Sequence, residues 1–287
     1  MIRTALAMSL MLLATPGWAR EAAPAAVHAH EHVQAGDSRF VLLEGGRNFR
    51  DVGGYRTADG HAVKSGIMYR SGSLGSLTAR GQADLAGLHI AQIIDLRTSE
   101  ERSRDAFDLK TAFGEQYWTR DYGMSLGDAR SMFSDPSKLT AESMRTMMAN
   151  AYRTMAREQT PSYRQLFAEL VAGKQPLVVN CTAGKDRTGI ATALVLTALG
   201  VPYEIVRQDF LLSNGAPGME TLAASLSPGL NRLPPDVAAP LVGVEGVYLD
   251  NAFDQLRRDY GSVEGYMEKE LGVGPREIAA LRTRMLD

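Results

Sequence analysis

The chain has 287 residues, with 31 Lys+Arg against 33 Asp+Glu, a net charge of −2, and a single cysteine. Charges this balanced argue against a general nucleic-acid-binding role, and one cysteine excludes an internal disulfide. The length beyond the N-terminal segments suits one domain with a substantial core.

Residues 1–19 have the plan of an export signal: a positive start at Arg3, an apolar run over 5–14, and Gly17-Trp18-Ala19 as a small-x-small cleavage site. The apolar run is shorter than the about 20 residues a membrane span needs. Export, with cleavage after Ala19 and a periplasmic or secreted destination, is the expectation. Residues 20–38 are rich in Ala, with His28, His30 and His32 alternating. Such a stretch reads as a flexible linker, and no second cluster completes a metal site. An exported chain that keeps one unpaired thiol points to a reactive cysteine.

Strand-like runs follow at 40–43, 67–70, 89–96, 116–120 and 177–180. Thr78 is placed as the N-cap of a helix over 79–87. Met144, Met147, Met148, Ala151, Tyr152 and Met155 fall on one helical face. That face reads either as packed on the core or as a Met-lined lid in transient contact with lipid. Thr160-Pro161 restarts a helix through 170, with Pro at its favoured first position. After the strand at 177–180 an apolar helix is expected over 189–199, stopped by Gly200 and Pro202. Further helices are expected over 202–212 and 251–271, and a last one opens at Gly274-Pro275. This alternation predicts an α/β fold, a central and mostly parallel sheet flanked by helices. Such folds place ligands at the carboxyl ends of their strands.

At one such end stands Asn180-Cys181-Thr182-Ala183-Gly184-Lys185-Asp186-Arg187-Thr188-Gly189. Small residues between a strand and a helix let backbone N–H groups converge at the helix N-terminus, where the dipole favours an anion. The same field favours a thiolate at Cys181. Arg187 can hold two phosphate oxygens with its planar fork. Thr188 is placed to hydrogen-bond the sulfur as it leaves. Gly184 permits backbone geometry that a side chain would block. A nucleotide-binding Walker loop needs Gly at 179 and Ser or Thr at 186, where this chain has Val179 and Asp186.

The segment 181–187 resembles the C-x5-R signature of the protein tyrosine phosphatase superfamily. Its form C-T-A-G-K-D-R-T-G is similar to the bacterial tyrosine and dual-specificity phosphatases that also act on phosphoinositides. The segments N-F-R-D-V-G-G-Y (48–55), Y-R-S-G (69–72), I-I-D-L-R-T-S-E-E-R (93–102) and Y-G-S-V-E-G (260–265) resemble the same group. The resemblance implies a cysteine phosphatase domain over 39–287 with a protein tyrosine phosphatase-like fold and a helical insert at about 124–160. It implies an enzyme that hydrolyses phosphotyrosine, with phosphoserine/threonine or phosphoinositide as further substrates, through a cysteinyl-phosphate. No metal or cofactor is expected, because loop and arginine supply the charge compensation.

Thr182, Ala183, Gly184, Lys185, Asp186 and Arg187 would bind the phosphate. Three aspartates, Asp121, Asp186 and Asp95, compete as general acid, and Asp121 is favoured. Asp121 follows the strand at 116–120, where the superfamily carries its acid loop, and Asp186 lies inside the cysteine loop. Asp95 reads as a structural partner at a strand end. Lys185 either favours a multiply phosphorylated substrate or pairs with Asp186. Where the family usually has His before the cysteine, this chain has Asn180, which can brace the loop but cannot carry charge. Two other classes stay open: a rhodanese-like sulfurtransferase and a phosphate-binding module without turnover. Oligomeric state is not legible.

Overall fold

Five short segments build one sheet. In the computed structural model, which describes residues 37–104, 107–123, 138–221 and 233–287, these are β1 (Arg50–Asp51), β2 (Met68–Ser71), β3 (Gln92–Asp95), β4 (Tyr117–Thr119) and β5 (Leu177–Asn180), in the order β1-β2-β5-β3-β4. The signal segment, nearly all of the linker and the first part of the insert expected at 124–160 lie outside the described residues. β1 runs antiparallel to β2; the other pairings are parallel. The fold is therefore α/β with a mixed, mostly parallel sheet. β5 sits between β2 and β3 in one register, Asn180 opposite both Ser71 and Asp95, so three strands end together at the cysteine.

The period-2 alternation of a strand distributes its side chains between two cores. Leu177 and Val179 join Ile94 and Met68 in one, and Val178 joins Ile93, Tyr69 and Leu85 in the other. A sheet covered on both faces needs apolar runs rather than alternating ones, which is why L-V-V at 177–179 was legible as a buried strand. Helices cover it: α1 (Ala79–Ala86), α2 (Ser99–Arg102), α3 (Leu109–Phe113), α4 (Ala141–Glu158), α5 (Thr160–Ala172), α6 (Arg187–Leu199), α7 (Tyr203–Leu211), α8 (Pro235–Val242), α9 (Gly246–Tyr260), α10 (Val263–Tyr266) and α11 (Pro275–Met285). Thr78 caps α1 by accepting from Gly81 N–H at 3.3 Å. α6 is buried on nearly every side, as expected of a helix that is apolar all round.

Two expected elements differ. Among the described residues the run at 40–43 makes a single bridge, Phe40 to Arg50, because the chain turns at once, with Gly46 N–H donating to Leu43 O at 2.7 Å and Gly45 at φ +79°. The edge strand is the polar pair Arg50–Asp51 instead. The helix expected over 251–271 begins earlier, at Gly246, and ends at Tyr260, where Gly261 takes φ +83°. Ser262 then caps α10.

The methionine face belongs to α4. Met144, Met147 and Met148 pack with Val237 and Leu241 of α8, and Tyr152 and Met155 lie in the main core. Among the described residues, then, the methionines and Tyr152 of this face are covered by other parts of the same chain, whereas Ala151, expected on it, is exposed and Ala149 packs on the core in its place.

Candidate active site

Cys181 stands at the carboxyl end of β5, 1% exposed, its N–H donating to Ser71 O at 3.4 Å. The loop then turns back at Gly184, φ +71°. A Cβ there would lie 2.4 Å from Gly72 N and from Ser71 C, so only glycine lets the loop approach β2 this closely.

A buried charge cluster holds the loop from behind. Arg70 Nη2 and Asn48 Nδ2 donate to Gly184 O at 2.8 and 3.0 Å, and Asn48 Nδ2 also to Ala183 O at 3.3 Å. Asp209 of α7 ties the cluster together, accepting from Arg70 Nη1 at 2.5 Å, Arg50 Nε at 3.2 Å and the Tyr55 hydroxyl at 2.9 Å. Burial works against the Asp209 charge, but Arg50 and Arg70 outweigh it and hold the carboxyl well below the usual range. Burial and the like charge of Arg70 push Arg50 down to about 10. The loop carbonyls are thus turned into the scaffold. The N–H groups of residues 182–186 have no acceptor among the described residues, which is the arrangement of an anion nest.

Arg187 opens α6, and its side chain reaches back under the loop. Nη1 donates to Leu96 O at 3.0 Å, to Glu101 Oε2 at 2.8 Å and to the Tyr122 hydroxyl at 3.2 Å; Nη2 donates to Glu101 Oε1 at 2.6 Å and to Thr182 Oγ1 at 3.4 Å. None of these bonds uses Nε. Burial opposes the Arg187 charge, and Glu101 and Cys181 raise its pKa in spite of it. Glu101 also closes a capping box on α2: its Oε2 accepts from Thr98 N–H at 2.8 Å, and its own N–H donates to Thr98 Oγ1 at 3.1 Å. Burial alone would raise Glu101, but the Arg187 hydrogen bonds and charge bring it from 4.5 to about 2.

Because the folded value of Glu101 is depressed, its contribution to stability is complete above about pH 4.5 and is lost as pH falls towards about 2. Glu101→Gln is expected to cost about 3 kcal/mol, since it leaves a buried guanidinium without its counter-charge. It should also lower kcat/KM about 100-fold by loosening Arg187. Urea unfolding between pH 2 and 7 checks this. A variant whose stability still falls as steeply as the wild type's below pH 4.5 would contradict the assignment.

Glu101 and Tyr122 were not singled out from the sequence. The T-x-x-E pattern of Thr98 to Glu101 is a helix-start signature, but nothing in it points to a partner 86 residues away. Tyr122 accepts from Gln159 Nε2 at 2.9 Å and hydrogen-bonds Leu96 O. The guanidinium of Arg120 lies 3.8 Å over its ring.

The two candidate acids are placed differently. Asp121 is 91% exposed and paired with Arg102 at 2.5 Å, accepting also from Ser99 Oγ at 3.0 Å. It opens onto a cavity of about 550 Å³ lined by Arg97, Arg102, Phe107, Tyr117 and Trp118, with no residue of the cysteine loop in its walls. Asp186 is the N-cap position of α6 without making a side-chain cap. Its Oδ1 accepts from the Tyr152 hydroxyl at 2.5 Å and from Lys185 Nζ at 3.0 Å. Lys185 is itself 2% exposed and also donates to Gly243 O at 3.0 Å, so its ammonium is spent on the scaffold and on Asp186. Asp95 is fully buried and held by Arg97 and Tyr117, a structural placement. Thr188 and Asn180 are both 0% exposed; among the described residues neither the Thr188 hydroxyl nor either polar atom of the Asn180 side-chain amide has a hydrogen-bond partner.

A model of the tyrosine phosphatase family matches residues 41–287. A protein of Cupriavidus necator named as a tyrosine-protein phosphatase is 32% identical, over 83% of this chain and 85% of its own length. The triple specificity protein phosphatase PtpB of Mycobacterium tuberculosis is 29% identical, over 85% of this chain and 98% of its own. A tyrosine-protein phosphatase of Nostoc commune is 30% identical, over 78% and 76%. The chain belongs to the tyrosine phosphatase family and is a phosphatase.

Proposed function

We propose that this phosphatase is exported and hydrolyses phosphomonoesters through a cysteinyl-phosphate, with phosphotyrosine as its principal substrate. The observation that carries the reading is the cup itself: five loop amides without acceptors and an Arg187 fork locked by Glu101, both gathered around Cys181. In the first step the Cys181 thiolate attacks phosphorus and the bond from phosphorus to the leaving oxygen breaks, while the amides and the Nε–H of Arg187, the donor of that guanidinium without a protein acceptor among the described residues, hold the equatorial oxygens. Asp186 gives its proton to the leaving oxygen. In the second, Asp186 takes a proton from water, whose oxygen attacks phosphorus. The S–P bond breaks and phosphate departs. The Thr188 hydroxyl, without a hydrogen-bond partner among the described residues, supports the leaving sulfur.

Asp186 is favoured over Asp121 because it is anchored in the cysteine loop, whereas Asp121 is paired with Arg102 on a separate cavity. A thiosulfate-using enzyme loses its support with the family assignment. The triple specificity of the mycobacterial relative supports testing more than one phosphate class here. The N-terminal 19 residues support export.

A phosphate-release panel of phosphotyrosine peptides, phosphoserine/threonine peptides and phosphoinositides tests the substrate reading. The highest kcat/KM is expected on phosphotyrosine, with measurable release from at least one other class. Release confined to phosphoinositides would overturn phosphotyrosine as the principal substrate. N-terminal sequencing of the mature protein from cell fractions tests export: a start at Arg20 in the exported fraction is expected, and an intact Met1 in the cytoplasm would remove it.

A further inference from the structure

The mechanism above uses Asp186 but leaves unexplained why two donors from different parts of the chain meet on one of its oxygens. Tyr152 lies in α4, 34 residues before Asp186, and its hydroxyl donates to Oδ1 at 2.5 Å. Lys185 Nζ donates to the same Oδ1 at 3.0 Å. Among the described residues no donor reaches Oδ2. Tyr152 is fully buried, and its ring is held edge-on to Phe210, centroids 6.0 Å apart, and tilted against Tyr248 at 5.3 Å. Its hydroxyl therefore has little freedom to move away. Burial first, then the charge of Asp186, push the Tyr152 hydroxyl well above its ordinary value, so it stays protonated and towards a carboxylate acts as a donor. An oxygen that accepts two such bonds is poorly placed to carry the acidic proton as well.

We infer that Tyr152, with Lys185, orients the Asp186 carboxylate so that Oδ2 is the oxygen that delivers the proton to the leaving group. Tyr152 is then a positioning residue, acting through Asp186 rather than on the substrate. This rests on Asp186 being the general acid, and it gives α4 a role besides packing: the helix carries the brace that fixes the direction of proton transfer. The remaining side chains around Asp186 fit this assignment. Tyr248 offers only its ring to Tyr152, since its own hydroxyl donates to Pro240 O at 3.2 Å, and Lys185 has its second bond on Gly243 O.

The test compares kcat/KM, which reports cleavage of the ester bond and not the later hydrolysis, on two aryl phosphates. Phenyl phosphate releases a phenoxide whose conjugate acid has a pKa of about 10, like tyrosine, and needs the proton. 2,4-Dinitrophenyl phosphate releases an anion that leaves without one. For Tyr152→Phe, a fall of about tenfold on phenyl phosphate is expected, the size of one lost hydrogen bond to a charged group. The fall on the dinitrophenyl ester should be about twofold or less. In the Asp186→Asn background, adding Tyr152→Phe should change neither substrate by more than about twofold, since positioning has nothing left to position.

The failures separate. If Asp186→Asn lowers both substrates equally, Asp186 is not the acid and the underlying reading falls. If Asp186→Asn discriminates between them but Tyr152→Phe lowers both equally, or still acts in the Asp186→Asn background, Tyr152 is structural and the inference is overturned. Lys185→Met serves as the second variant, with thermal melts on each. It removes the other donor to Oδ1 and should reproduce the leaving-group discrimination of Tyr152→Phe; equal losses on both esters would count against the inference.

Discussion

Cys181→Ser is expected to reduce phosphate release on the order of 10⁵-fold, the scale seen when a covalent nucleophile is removed, while substrate still binds. The grounds are that everything else in the cup is built without the sulfur. Arg187 is anchored by Glu101 and Leu96, and the loop is held from behind by Arg70 and Asn48. A serine hydroxyl is close in shape but far less nucleophilic, so the cup persists and the reaction stops. Titration calorimetry with a phosphotyrosine peptide should give an affinity within a few-fold of the wild type's KM. Acid-quenched wild-type protein should carry covalent phosphate and the variant none. Retention of more than about one tenth of the wild-type rate would end the cysteinyl-phosphate route.

Asp209→Asn should produce the largest loss of stability of any single change discussed. Arg50 and Arg70 are both 0% exposed and share this one carboxylate, itself 2% exposed. Asparagine keeps the volume and one acceptor oxygen, so the loss is electrostatic. Two guanidiniums are left facing each other in the core without a counter-charge, which breaking a buried pair elsewhere prices at about 3–5 kcal/mol. Burial and mutual repulsion already depress Arg50. The effect should reach activity as well, since Arg70 holds Gly184 O. Urea unfolding at pH 7 measures it: a lower midpoint with an unchanged m-value is expected. A cost below about 1 kcal/mol would mean that the cluster is neutralised by something other than Asp209.

Near the cysteine the sequence was legible because its elements are local. L-V-V-N at 177–180 carries its own strand signal, and C-T-A-G-K-D-R packs nucleophile, turn glycine and arginine within seven positions. G-I-A-T-A-L-V-L is helical on any reading. Thr78 and Pro161 marked helix starts by mechanisms confined to one turn; Thr78 caps α1, and α5 begins one residue earlier than expected, at Thr160, so that Pro161 stands second in it. The early strand at 40–43 misled because apolar content says nothing about whether a partner strand is within reach. The true edge, Arg50–Asp51, is polar and exists because β2 lies beside it.

The same boundary divides the site. Sequence alone determined that Arg187 follows Cys181 by six positions, since chain connectivity keeps the two close in any fold, and its local signals placed the pair between a strand and a helix. Only tertiary structure decided what surrounds them: Glu101 on Arg187 from 86 positions away, Asp209 between Arg50 and Arg70, Tyr152 on Asp186, and Lys185 turned towards Gly243. It also gave the two aspartates different surroundings, Asp121 paired with Arg102 and Asp186 with Tyr152 and Lys185. Hydrogen bonds and ion pairs act over about 3 Å, so which groups feel one another depends on how strands and helices stack, a fact that no local stretch of residues contains.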